Sequence, residues 1–220
     1  MNENFFESDF PANTWNWSTI PKKELGFWIK NKNLAKFIAP IWEKNLHFNT
    51  LLDLGTGLGR NARAFAEKGF DVSALDIDRN ALQIASKYSF GMDIKYELGD
   101  MLNLPYKSDS FHCVFAENIL GLTYTNGLYR ALDEIHRVLV VDGGVLFTIG
   151  SKKDDMFKKS SHKIDDNTIL AKSQHGTGSS TFCFIDDSML NDLLKGFFPL
   201  LIEKNKNSYL IVAQKNSKIR

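Results

Sequence analysis

Three glycines and an aspartate stand together in a stretch whose residue types and spacing could bind a ligand. Gly55, Gly57 and Gly59 alternate within LLDLGTGLGR, and Asp53 precedes the first of them by two positions. Glycine adopts positive φ angles without strain and lets a ligand approach the main chain closely. The stretch predicts a cradle built from main-chain atoms, with one carboxylate beside it. Taken alone, it could also be only a tight connection between a strand and a helix.

Two further acids strengthen the ligand interpretation. Asp76 follows Gly55 by about 20 residues, and a carboxylate at that distance can accept hydrogen bonds from neighbouring ribose hydroxyls. Asp100 lies in LGDM, after the next apolar segment. Each acid by itself is typical of a turn or a helix cap. Three such features after three successive apolar segments favour a single binding site.

The segments that carry these residues alternate between strand and helix patterns. Five apolar segments predict strands: TLLDL, FDVSALDI, DIKYEL, FHCVFAE and GGVLFTIG. Three segments between them predict helices: 59–68, 79–88 and 128–139. This alternation predicts a parallel sheet covered by helices on both faces. Ligands bind such sheets at the carboxyl ends of the strands, which is where the glycines and both later acids fall.

A dinucleotide is the obvious alternative ligand, and the residues argue against it. The dinucleotide motif G-x-G-x-x-G needs a third glycine for close packing around a pyrophosphate. Arg60 occupies that position here. Asp53 is anionic, so it suits an ammonium group better than a phosphate. The loop therefore favours a small zwitterionic nucleoside.

The rest of the chain predicts one domain, 1–220, with further parts around the core 49–150. Residues 1–48 form an N-terminal lead, with a helix predicted over 33–44 that Pro40 should kink or end. Residues 151–185 are polar and lack clear periodicity, which predicts a substrate-side loop. Residues 186–220 predict a final amphipathic helix and an antiparallel hairpin of two strands.

The composition excludes several classes of protein. The net charge is +1, the apolar share is 43% and the charged share is 24%, so a nucleic-acid partner is not expected. Neither a signal peptide nor a membrane-spanning stretch is visible, and Cys113 and Cys183 fit buried free thiols. No residue spacing indicates a metal site. These features predict a cytoplasmic protein, with a monomer or a homodimer left open.

Several motifs together resemble the class I S-adenosylmethionine-dependent methyltransferases over about residues 50–150. LLDLGTGLGR is similar to the first motif of that family, and VSALDIDRNAL resembles the second. LGDMLNLPYKSDSFHCVFAENIL and ALDEIHRVLVVDGGVLFTI resemble its later segments. The resemblance implies a Rossmann-like, doubly wound sheet of seven mostly parallel strands, the last antiparallel, with helices on both faces. It also implies S-adenosyl-L-methionine as the cofactor.

The resemblance further implies how the first two motifs would hold the cofactor. Asp53 and the main chain of Gly55 and Gly57 are expected to hold the methionine end. Asp76 is expected to bind the ribose hydroxyls, and Ile77 to pack on the adenine.

The later motifs complete this expected site. Asp100 is expected to accept a hydrogen bond from the adenine amino group, and the N–H of Met101 to face a ring nitrogen. Ala116, Glu117 and Asn118 end the fourth strand and are expected to line the passage to the substrate.

The reaction and its substrate are less defined by the sequence. Glu117 is a candidate general base, or else a carboxylate that faces the cofactor or solvent. Trp15, Trp17, His162 and His175 are candidate substrate contacts, although plain packing would also explain the tryptophans. We expect a methyltransferase that acts on a small molecule. The alternatives are a non-catalytic S-adenosylmethionine-binding protein and an RNA or protein methyltransferase.

Overall fold

A mixed sheet of nine strands organises the computed structural model, which describes residues 34–43, 48–172 and 179–216. Its central part is parallel and runs in the order β3-β2-β1-β4-β5. The bounds are Thr50–Leu54 for β1, Asp71–Asp76 for β2, Ile94–Leu98 for β3, Phe111–Ala116 for β4 and Leu139–Ser151 for β5. The chain order reverses between β1 and β4, and this is the position where open parallel sheets bind ligands.

Helices cover both faces of this parallel part. They are α1 (Ala35–Glu43), α2 (Arg60–Ala66), α3 (Arg79–Tyr88) and α4 (Thr125–Val138). Buried residues of α1 and α2 share one apolar cluster with β1, β2 and β4, whereas α4 belongs to a second cluster on the opposite face. The strands β1, β2 and β4 are buried almost throughout, as expected for parallel strands that are covered on both faces. The helix α1 continues past Pro40, where the sequence predicted a kink or an end.

The segment 151–185 is not the loop that the sequence predicts. It contains a short helix α5 (Asp155–Lys159) and two antiparallel strands, β6 (Thr168–Lys172) and β7 (Ser179–Ile185). The strand β7 joins the carboxyl end of β5 through the pairs Gly150–Phe184 and Ser151–Ile185. These strands depend on partners that are distant in the chain, so local periodicity did not indicate them.

The C-terminal part follows the prediction more closely. A 3₁₀ turn (Asp187–Met189) leads into a short helix α6 (Leu190–Leu193), where a longer helix was expected. The predicted hairpin is confirmed as β8 (Phe197–Lys204) and β9 (Ser208–Lys215). The strand β9 runs antiparallel to β5.

The predicted fold class is therefore confirmed, with nine strands where the resemblance implied seven. The hairpin β6–β7 lies on the edge of β5 opposite to β9, beyond the end of β4. It follows that this hairpin extends past the carboxyl edge of the central sheet, next to the glycine loop. Both cysteines are buried free thiols, as expected.

Candidate functional site

The glycine loop turns sharply between β1 and α2. Gly55, Gly57 and Gly59 have φ angles of 70°, 53° and 73°, which favour glycine over residues with a Cβ atom. The N–H groups of Gly55 and Thr56 both donate to the carbonyl oxygen of Leu75, at 2.8 and 3.0 Å, and so attach the loop to β2. A Cβ atom on Gly55 would also lie 2.5 Å from Cγ1 of Ile119, in the loop after β4, which adds a second constraint at this glycine.

A cavity of about 330 Å³ opens beside this loop at the carboxyl edge of the sheet. Four parts of the chain contribute to it: the glycine loop with the start of α2, the end of β2, the loop after β4, and β7. The lining residues from the first two parts are Gly55, Thr56, Gly57, Leu58, Arg60, Asn61, Asp76 and Ile77. Those from the last two are Glu117, Asn118, Ile119, Leu122 and Phe182. The volume is at the lower end of the range for small-molecule sites.

The carboxylate of Asp76 is fixed in this cavity by main-chain donors. Its Oδ2 accepts from the N–H of Gly57 at 2.7 Å, and its Oδ1 accepts from the N–H of Asp78 at 2.9 Å. Burial raises the pKa of Asp76 above its usual range, while these N–H donors act in the opposite direction. Each carboxylate oxygen has a second lone pair. Asp76 can therefore accept further hydrogen bonds from a ligand without losing its present ones.

Asp53 lies beneath the loop instead of in the cavity lining. It is only 1% exposed, and its Oδ2 accepts from the hydroxyl of Thr56 at 2.6 Å. Burial raises the pKa of Asp53 to about 7, with the charge of Glu117 acting in the same direction. A cationic ligand above the loop would lower that pKa, because it would favour the ionised carboxylate. The protonation of Asp53 can thus depend on a bound cation that its side chain does not contact.

An ion pair and an amide form the other polar end of the cavity. Arg60 Nη2 donates to Glu117 Oε2 at 2.6 Å, and Asn61 Nδ2 donates to the same oxygen at 2.9 Å. Both donors come from the first turn of α2, and Glu117 follows the last residue of β4. This contact joins the two elements on either side of the point where the sheet order reverses.

Asn118 holds the loop after β4 in an unusual conformation. Its φ angle is 58°, a value that asparagine tolerates better than most residues with a Cβ atom. Its N–H donates to Thr148 Oγ1 at 2.8 Å, and that hydroxyl donates to Asn118 Oδ1 at 3.0 Å. The threonine of β5 thereby fixes the backbone turn that directs the loop towards the cavity.

The remaining side of the cavity is apolar. Ile119 and Leu122 come from the loop after β4, and Phe182 comes from β7. The N–H of Cys183 donates to the carbonyl oxygen of Gly121 at 2.7 Å, which attaches β7 to that loop. We call Ile119, Leu122 and Phe182 the apolar wall.

The structure brings together part of the site that the sequence predicts. Gly55, Gly57, Asp76, Ile77 and Glu117 line one cavity. The predicted residues outside its lining are Asp53, Asp100, Met101 and Ala116.

These outlying residues differ in their surroundings. Asp100 is half-buried, and its Oδ1 accepts from the N–H of Leu102 at 2.9 Å. Met101 and Ala116 are buried in the main apolar cluster. His162 is exposed and is absent from the cavity lining. Trp15, Trp17 and His175 are outside the described residues.

Sequence reasoning missed several residues that line the cavity. Arg60 and Asn61 directly follow the glycines, so their position was a usable signal for a binding role. Leu122 carried no such signal, and Phe182 was missed because β7 was not recognised as a strand.

Two features are absent from residues 34–43, 48–172 and 179–216, namely a cluster of metal ligands and a membrane-spanning helix. No group of three or more His, Cys, Asp or Glu side chains there is arranged to hold a metal ion. No helix within the same residues has both the length and the apolar character needed to span a membrane.

Comparisons with known proteins agree with the motifs. Residues 51–143 match the family model described as a methyltransferase domain. Malonyl-acyl-carrier-protein O-methyltransferase of Salmonella typhimurium is 33% identical over 101 residues, which are 46% of this chain and 39% of that protein. The human mitochondrial arginine-hydroxylase NDUFAF5 is 28% identical over 142 residues, covering 64% of this chain and 40% of that protein. The chain thus spans about two fifths of the length of these relatives.

A solved structure extends the comparison to the fold. It is a Burkholderia thailandensis 1,6-didemethyltoxoflavin-N1-methyltransferase with bound S-adenosylhomocysteine. Its TM-score is 0.62 at 16% identity, and the match covers 89% of this chain and 83% of that one. Residues 51–143 are therefore similar to a methyltransferase domain, and the chain shares its fold with this solved methyltransferase.

Proposed function

We propose that this protein transfers a methyl group from S-adenosyl-L-methionine to a small-molecule acceptor by in-line displacement. The observation that carries the proposal is the position of Asp76. Its buried carboxylate lines the cavity beside a glycine loop, at the carboxyl edge where the sheet order reverses.

The described residues fit the nucleoside part of this cofactor. Asp76 has free lone pairs for the two ribose hydroxyls, and Ile77 offers an apolar surface to the adenine. Gly55 and Gly57 line the cavity beside Asp76. In this proposal Asp100 and the N–H of Met101 meet the edge of the adenine, beyond the present limits of the cavity.

The chemistry needs little from the side chains. The bound cofactor supplies a methyl group that is already activated by its sulfonium. The protein holds an acceptor atom in line behind that group and excludes water, and such positioning accounts for much of the rate. Glu117 Oε2 is occupied by a guanidinium and an amide donor. Since Arg60 and Asn61 hold this side chain at the cavity, we assign Glu117 to binding, and the transfer rate of a Glu117→Gln variant tests that assignment.

The apolar wall supports an acceptor that is small and partly apolar. It adds hydrocarbon and one aromatic ring to the cavity lining. The relatives named above differ widely in what their names say they act on, so this wall is the better guide to the acceptor. The possible contributions of Trp15, Trp17, His162 and His175 stay predictions.

The test is calorimetry with S-adenosylmethionine and S-adenosylhomocysteine. Wild type should bind both with micromolar affinity, and Asp76→Ala should lose at least about 30-fold, because two charge-assisted hydrogen bonds disappear. Asp71→Ala is the matched control, since Asp71 is an exposed acid at the start of the same strand. A folded wild type that gives no heat with either ligand would refute the proposal.

A second measurement addresses the reaction itself. The human relative is named a hydroxylase, so a shared core does not by itself establish methyl transfer. Release of S-adenosylhomocysteine should depend on an added acceptor. Tight cofactor binding with no release across a broad acceptor panel would favour the non-catalytic alternative.

A further inference from the structure

One face of α4 carries three charged side chains that are not part of the cavity lining. Arg130, Glu134 and Arg137 are spaced four and three residues apart, so they lie in one row along the helix. Arg137 donates to both carboxylate oxygens of Glu134, from Nε and Nη2, at 2.7 Å each. These hydrogen bonds hold the pKa of Glu134 below its usual range. Glu134 is therefore an ionised acceptor at neutral pH.

Glu134 and Arg137 bind the main chain of the segment that follows β3. Glu134 Oε2 accepts from the N–H of Leu104 at 2.7 Å. Arg137 donates to two carbonyl oxygens, from Nη2 to Leu104 at 3.1 Å and from Nη1 to Tyr106 at 2.6 Å. Hydrogen bonds that involve a charged group are stronger than those between neutral groups. The ion pair thus holds this segment against α4.

Arg130 extends the contact to the turn that contains Asp100. Its Nε donates to the carbonyl oxygen of Leu102 at 2.7 Å, and the N–H of Leu102 donates to Asp100 Oδ1 at 2.9 Å. The N–H of Asn103 donates to the carbonyl oxygen of Asp100 at 3.1 Å, which closes the turn. The position of the Asp100 carboxylate therefore depends on where α4 holds the residues that follow it.

The sheet order makes this contact a long-range one. Asp100 follows β3, whereas α4 follows β4, and the strands β2 and β1 lie between those two. On its other side the turn is attached to β2, because the N–H of Gly99 donates to the carbonyl oxygen of Asp76 at 3.0 Å. A binding group is placed accurately when the groups around it are themselves held by hydrogen bonds. Here β2 and α4 hold the turn from both sides.

We infer that Arg130, Glu134 and Arg137 are positioning residues for recognition of the adenine. They set the places of the Asp100 carboxylate and of the Met101 N–H, and through these two groups they set the preference for adenine over other bases. The inference rests on the proposed function, in which those two groups meet the edge of the adenine.

Two ligands that differ only in the base test this inference. S-adenosylhomocysteine carries adenine, whereas S-inosylhomocysteine carries hypoxanthine. Hypoxanthine has a carbonyl group in place of the amino group and an N–H in place of the neighbouring ring nitrogen. The contacts proposed for Asp100 and Met101 both fail with it. Calorimetry should therefore show that wild type prefers S-adenosylhomocysteine by at least about tenfold.

Substitutions in the row on α4 should reduce this preference. Arg137→Ala should lower the affinity for S-adenosylhomocysteine by about fivefold or more, because the turn is no longer held in place, and change that for S-inosylhomocysteine by less than about twofold. Arg130→Ala changes an exposed side chain, so it should fold even if Arg137→Ala does not. It should lower the preference by about threefold.

Two further variants separate positioning from a general loss of charge. Glu134→Gln keeps an oxygen that accepts from the N–H of Leu104, so it should retain most of the preference that Glu134→Ala loses. Lys95→Ala is the matched control. It breaks an exposed ion pair with Asp71 on the strand that leads to Asp100, and it should leave the preference unchanged.

The outcomes separate the inference from the function. Wild type that binds neither ligand refutes the proposed function and the positioning role with it. Wild type that binds both ligands equally keeps a nucleoside site but overturns the positioning role. Folded variants that weaken both ligands by the same factor, or neither ligand, also overturn it, because a merely structural role would not discriminate between the two bases.

Discussion

The two sides of the cavity are built in different ways. On one side, β1, the glycine loop and β2 follow one another within residues 50–76, and β1 pairs directly with β2. On the other side, the apolar wall combines the loop after β4 with β7, about 60 residues later in the chain. In the proposed function the first side binds the cofactor and the second selects the acceptor. The comparison teaches that one side of a cavity can be built from consecutive elements while the other side is assembled from distant segments.

The glycine loop should be the more sensitive of the two sides. A Cβ atom on Gly55 would lie 2.5 Å from Ile119 Cγ1 and would require a positive φ angle. Gly55→Ala should therefore destabilise the fold by about 2–4 kcal/mol and abolish cofactor binding. Urea denaturation and calorimetry measure the two effects.

Gly91→Ala is the control for this substitution. Gly91 also has a positive φ angle, but no atom lies within 4 Å of a Cβ atom there. It should cost only about 1–2 kcal/mol and leave cofactor affinity unchanged. Equal effects of both substitutions would mean that the approach to Ile119 is unimportant.

The buried acid beneath the loop predicts a pH dependence of stability. Folded Asp53 keeps its proton to about pH 7, whereas an ordinary aspartate has a pKa of 3.8. Folding therefore takes up a proton between these values, and the contribution of Asp53 to stability falls as pH rises through this range.

Asp53→Asn removes this dependence. The variant should gain about 2–4 kcal/mol of unfolding free energy relative to wild type at pH 8 and little at pH 4. Urea denaturation across pH 4–8 measures the difference. A constant difference at every pH would contradict the buried-acid explanation.

The apolar wall should respond differently from the loop. Phe182→Ala should lower kcat/KM for an acceptor by about tenfold, because an aromatic contact is lost, while the affinity for S-adenosylhomocysteine changes by less than about threefold. Phe90→Ala, at a side chain that is 97% exposed, should change neither quantity. An equal loss of cofactor affinity would remove the functional distinction between the two sides.

Glu117 gives the smallest predicted effect on the reaction. Glu117→Gln should weaken S-adenosylhomocysteine by about three- to tenfold, since the charge of the ion pair is lost. The transfer rate at saturating cofactor should fall less than about threefold, and its pH profile should keep its shape. Loss of a general base would instead lower the rate by about 10²–10⁴.

Much of the fold could be predicted from local patterns. The strands β1, β2 and β4 are apolar runs because both faces are buried, and α3 matches its prediction over Arg79–Tyr88. The hairpin β6–β7 escaped prediction because its strands depend on each other and on the end of β5. Its polar residues, such as Ser179 and Thr181, resemble those of a loop when they are considered without these partners.

The sequence by itself determined the type of sheet, the turn at the glycines and the presence of Asp76 beside it. These features follow from side-chain period, backbone freedom and chain order, which act over a few residues. Only the tertiary structure decided that Asp53 lies beneath the loop, that Glu117 pairs with Arg60, and that Phe182 closes the cavity. Glu117 lies 57 residues from Arg60, and such contacts depend on how the strands are ordered in the sheet. Burial across that order sets the protonation of Asp53, pairing across it sets the shape of the site, and no local pattern in the chain records them.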